Sequence, residues 1–73
     1  MDFDQCCRVI IVAGKDPKQV RQVDYAVNYA KAGLTMTDKK AMQVQAPYIL
    51  NNITSWRSPN AKDVRSALKE FVR

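Results

Sequence analysis

Apolar positions recur along this chain mostly at spacings of three and four, the period of helices buried on one face. Breaks of proline, glycine and polar residues separate four such stretches, which predict helices at about 3–13, 17–32, 37–57 and 59–72. Asp16-Pro17 sets a capping side chain before a proline at the first helical position, with Gln19 placed to complete a capping box. Ser58-Pro59 repeats the pattern, and Gly14 and Gly33 each follow an apolar run as helix-ending glycines do. The stretch CCRVIIVA is β-branched enough to read as a strand. A lone strand would have nothing to pair with, so a helix is expected there.

In the second stretch Val20, Val23, Val27 and Ala30 share one helical stripe, while Tyr25 and Tyr29 lie well away from it, beside Lys18 and Gln22. Two apolar faces on one helix imply burial on both sides, and that is the expectation for the tyrosines. The rival is an exposed pair that grips a partner. In the third stretch Pro47 should break or kink the helix. Met42, Ala46, Ile49, Ile53 and Trp56 nonetheless stay in phase through it, so one helix kinked at Pro47, or two short helices nearly in line, is expected. Tyr48, Ile49, Ile53 and Trp56 are assigned to the core, Leu50 to the edge of the apolar face, and Asn51, Asn52 and Ser55 to its wetter side. The last stretch carries an apolar stripe of Ala61, Val64, Leu68 and Phe71 and a basic stripe of Lys62, Arg65, Lys69 and Arg73.

The fold class that follows is all-α, a compact bundle of three to four short helices, and the 73 residues leave room for a single domain. The only cysteines, Cys6 and Cys7, are adjacent; they lack zinc-site spacing, cannot easily bridge each other, and read as small core hydrophobes. No cofactor or metal is implied. The N-terminus carries Asp2 and Asp4 where a secretory leader would be positive, so a cytoplasmic location is expected, without membrane insertion.

Composition narrows the function further. Without a histidine, a glycine-rich phosphate loop or a paired-carboxylate site, catalysis is not expected. A net charge of +5 favours acidic partners. For nucleic acid, Arg57 could extend the basic stripe along phosphates, and YAKAGLTMTDKKAMQV, within 29–45, reads as a helix-turn-helix. Tyr29 and Lys39 depart from that motif, standing where a small residue and a buried aliphatic are expected. The plainer view has Gly33 capping one helix, Leu34 covering its end, and Thr35 or Thr37 starting the next. For a protein partner, or a second copy of the chain, the candidate site is Tyr25, Tyr29, Asn51, Asn52 and Arg57, since tyrosine and arginine are enriched among residues that dominate interface energy.

YILNNITSWRSPNAKDVRSALKEF resembles the C-terminal part of small helical proteins encoded by bacteriophages and prophages, in which an aromatic-rich helix ends in a Trp-Arg pair before an Ala-Lys-x-Val-Arg helix. The resemblance covers about a third of the chain. It implies a protein that works by binding, either regulating phage genes or blocking a host enzyme or defence system, and it carries no individual residue role.

Overall fold

The computed structural model describes residues 1–72, which form four helices: α1 (Phe3–Ala13), α2 (Val20–Leu34), α3 (Lys39–Asn51) and α4 (Ala61–Val72). Among the described residues there is no strand. Arg73 lies outside them.

The ambiguous first segment is helical because its start is capped from both sides. Asp2 Oδ1 accepts from the Gln5 amide at 2.8 Å while Gln5 Oε1 accepts from the Asp2 amide at 2.8 Å. Phe3, Cys6, Cys7, Ile10 and Ala13 then fall on one buried face.

Asp16 does cap a turn, its Oδ1 accepting from the Lys18 amide at 2.9 Å, but α2 begins only at Val20. Gln19 does not close a capping box with the Asp16 backbone. Its Nε2 donates to Asp16 Oδ2 at 2.8 Å, and its Oε1 accepts from Trp56 Nε1 at 2.8 Å. A tertiary partner has taken the side chain that local chemistry offered to the cap.

Neither glycine works through backbone freedom, because no glycine has positive φ. Helix α2 runs through Gly33 to Leu34, and a Cβ at Gly33 would stand 3.0 Å from two Phe3 ring carbons and 3.1 Å from Cys7 Sγ. A Cβ at Gly14 would meet Val27 Cγ2 at 2.5 Å. Both are sites of close approach between α1 and α2. The buried face of α2 is Val23, Ala26, Ala30 and Gly33, with Val20 and Val27 at its margin. Small side chains let α1 come near, and that contact leaves no place for a tyrosine inside. The expected burial of α2 on both sides is therefore corrected.

Helix α3 starts after Asp38, whose Oδ1 accepts from the Lys40 amide at 3.1 Å, and not after Thr35 or Thr37. Thr35 ends α2 instead, its hydroxyl donating to the Ala32 carbonyl at 2.7 Å. Pro47 lies within α3, which stops at Asn51, well short of the expected residue 57. Two successive turns follow, closed by Ile53 N to Leu50 O at 3.3 Å and Trp56 N to Ile53 O at 3.1 Å. These three-residue steps keep Ile53 and Trp56 inward, so the apolar phase outlasts the helix.

The helices pack in a closed cycle, α1 on α2, α2 on α3, α3 on α4 and α4 on α1. One core cluster runs from Phe3, Cys7 and Ile10 through Ile49, Ile53 and Trp56 to Val64 and Leu68. Phe3 and Phe71 join its outer edge with ring centroids 5.3 Å apart.

Candidate partner-binding face

Rotation about α2 decides where the tyrosines go. With Val23, Ala26 and Ala30 turned inward, Tyr25 and Tyr29 lie on the opposite side, and Tyr25 is 73% exposed. The rival expectation, an exposed pair, is what the structure has. Across the groove between helices, Tyr48 of α3 stacks on Tyr29 with ring centroids 5.7 Å apart and planes at 17°. Tyr48 is 51% exposed, which corrects its assignment to the core, and Val44, one turn earlier, is 64% exposed.

Hydrogen bonds fix the register of this face. Gln45 Nε2 donates to the Tyr29 carbonyl at 2.9 Å, and the Arg57 amide donates to Gln22 Oε1 at 2.8 Å. The chain after α3 thus runs antiparallel to α2, with Arg57 beside the turn of α2 that precedes Tyr25. Around the Tyr29–Tyr48 stack, Tyr25 and Val44 stand one helical turn away on α2 and α3, which makes an exposed aromatic and apolar strip, and the exposed Arg57 lies beyond one end.

The other predicted residues divide. Asn51 is exposed, but Asn52 Nδ2 donates to the Tyr48 carbonyl at 2.7 Å and so serves to end α3. Trp56 is buried, as its phase implied. Along the basic stripe Lys62 and Lys69 are exposed, whereas Arg65 is half-buried and its Nη1 donates to the Trp56 carbonyl at 2.9 Å and the Ile53 carbonyl at 3.2 Å. Arg65 holds the turn between α3 and α4 in place, so the stripe is not a uniform row of free cations. The predicted member Arg73 lies outside the described residues.

Segment 29–45 does run helix, turn, helix, with Thr35–Asp38 between α2 and α3. Lys39 is exposed at the start of α3, and Tyr29 is occupied with Tyr48.

Both cysteines are buried free thiols. Burial pushes the Cys6 thiol up to about 11 and Cys7 up to about 12, which keeps both protonated and unreactive near neutral pH. Among the described residues no group of three histidine, cysteine, aspartate or glutamate side chains is placed to hold a metal ion. No helix there is long and apolar enough to cross a membrane.

Two features escaped the sequence. Tyr48 and Val44 joined the strip because α3 packs through Ala46 and Ile49; their four-residue spacing on the opposite face was the available signal. An open groove of about 290 Å³ lies between α1 and the turns, lined in part by Arg8, Val9, Val12, Asp16 and Trp56. There the Asp16 carboxyl is held below its usual range, chiefly by the hydrogen bond from Gln19 and then by the Lys18 amide. Comparison of the chain with protein-family models, curated proteins and solved structures gives no match.

Proposed function

We propose that this protein acts by binding and not by catalysis, and that its partner is a protein, docked on the tyrosine strip of α2 and α3. The supporting observation is the exposure of Tyr25 and Tyr48 around a formed Tyr29–Tyr48 stack. Large aromatic rings leave water favourably and lose few rotamers on binding, so a strip already ordered in the free protein binds at low entropic cost. A bend of α3 at Pro47, one residue before Tyr48, belongs to the same proposal, since proline removes a helical hydrogen bond at that point. The resemblance of residues 48–71 to small phage and prophage proteins suggests a bacterial host protein or a phage protein as partner, and a role as regulator or inhibitor.

The test is affinity capture from a nuclease-treated bacterial lysate with the wild type and with a Tyr25→Ala, Tyr48→Ala double variant. A specific partner captured by the wild type and lost with the double variant, whose helicity is unchanged, supports the proposal. Capture that ignores both tyrosines removes its basis. Nucleic acid is the second reading, favoured by the exposure of Lys62 and Lys69 on α4. Duplex DNA binding that falls steeply with salt and disappears in Lys62→Ala, Lys69→Ala would put it first.

A further inference from the structure

We infer that the partner presents an acidic segment of chain to the tyrosine strip; this rests on the proposed function above and adds the chemistry of the ligand. The α2 side of the strip reads Arg21, Tyr25, Tyr29 at four-residue steps, and the α3 side reads Lys40, Val44, Tyr48 in the same way. Because the two helices run antiparallel, Arg21 stands at one end of the strip and Lys40 at the other. Arg57, held by its amide to Gln22, adds a second cation at the Arg21 end. Arg21, Lys40 and Arg57 are all exposed. Exposed carboxylates offset part of this charge. Asp24, three residues from Arg21, lies about 60° from it around α2, and Asp38 keeps its charge while accepting from the Lys40 amide. Arg57 at one end and Lys39 at the other leave each end net positive. The strip is therefore apolar in the middle and cationic at both ends.

That charge pattern selects among occupants. Two copies of the chain, each at +5, would bring cationic ends together in either relative direction. Single-stranded nucleic acid would match the charge, but it binds by stacking successive bases on open rings, and of the three tyrosines only Tyr25 lies outside the Tyr29–Tyr48 stack. A peptide with an apolar centre and flanking aspartate or glutamate satisfies both ring edges and cations.

The experiment is selection of a displayed library of random 12-residue peptides on the immobilised full chain, in parallel with the Tyr25→Ala, Tyr48→Ala variant, which leaves the net charge unchanged. The expected result is an enriched pool rich in aspartate and glutamate around an apolar centre. It should be lost on the tyrosine variant and bind Arg21→Glu, Arg57→Glu at least about tenfold more weakly. A pool that needs the tyrosines but is not acidic overturns this inference and leaves the docking face standing. A pool indifferent to the tyrosines, or no enrichment at all, overturns both. Tyrosine-dependent dimerisation on sizing, or an oligo-dT strand that competes the peptides away, overturns the acidic segment in favour of a second copy or of nucleic acid.

Discussion

Replacing Arg65 by alanine should unfold this protein more readily than any other single change in its basic stripe. The guanidinium reaches from α4 to the turn after α3, where one Nη1 donates to the Trp56 and Ile53 carbonyls at 2.9 and 3.2 Å. A hydrogen bond from a charged donor contributes about 1.5–3 kcal/mol, and the two acceptors share one nitrogen, so they count as little more than one such bond. The site is half-buried, which places the loss near 2 kcal/mol. A domain of 73 residues has about 4–10 kcal/mol in total, so the variant gives up a large part of its stability. With a urea slope near 1 kcal/mol/M the midpoint should fall by about 2 M, and Tm by about 8–15 °C. Trp56, the only tryptophan, sits in the turn itself and reports unfolding by its fluorescence. Lys62→Ala and Lys69→Ala are the controls; both side chains are exposed, and each should shift stability by no more than about 0.5 kcal/mol. Arg65→Lys should recover only part of the loss, because the lysine side chain is one atom shorter than the path to Nη1 and its ammonium is more strongly hydrated. Equal, small shifts in all three alanine variants would refute the assignment and return Arg65 to the solvent-facing stripe.

Gly33→Ala sets a gain of up to ~1 kcal/mol in helix propensity against overpacking of about 1–3 kcal/mol where Phe3 and Cys7 approach at 3.0 and 3.1 Å; a net loss near 1 kcal/mol is expected in urea titration, and a stabilised variant would mean that Phe3 moves aside freely. Gln19→Leu strips the Trp56 indole N–H and Asp16 Oδ2 of their partner and should cost about 1–2 kcal/mol, with a changed Trp56 emission; an unchanged spectrum and midpoint would count against the network. The buried thiols titrate near 9.0 in the unfolded chain and at about 11 and about 12 when folded, so the native state holds the protons longer. Stability should therefore be intact below pH 9 and decline as pH rises towards 11, and native thiols should react with a thiol reagent only as fast as the chain opens. Rapid labelling of the folded protein at neutral pH would contradict their burial. Tyr25→Ala, on a residue 73% exposed, should leave thermal stability within about 0.5 kcal/mol; a larger fall would show that the ring supports the fold.

Much of the architecture was legible because it depends on local period. The four stripes, the helical class and the burial of Ile49, Ile53, Trp56, Val64 and Leu68 follow from spacings that need no knowledge of neighbours. Helix ends were less legible, since a cap is a competition. Gln19 had a local use and a distant one, and the indole of Trp56 took it. The site divides along the same line. Exposure of Arg57, Asn51, Lys62 and Lys69 was foreseeable from polarity alone.

The inside and outside of α2 were not. Its sequence offers an aliphatic stripe and an aromatic one, and the large apolar area of the tyrosine rings led to the expectation that both faces are buried. What decided was distance. Helix α1 comes close enough at Gly33 and Gly14 to leave less than a methyl group of free space, and only a face of Val23, Ala26 and Ala30 admits that approach. Local period was enough to settle that this chain is helical and where its stripes lie. Tertiary packing alone decided which stripe of α2 faces solvent, and so left Tyr25 and Tyr29 at the surface: a one-dimensional pattern records apolarity but not the width of the gap that a side chain must fill.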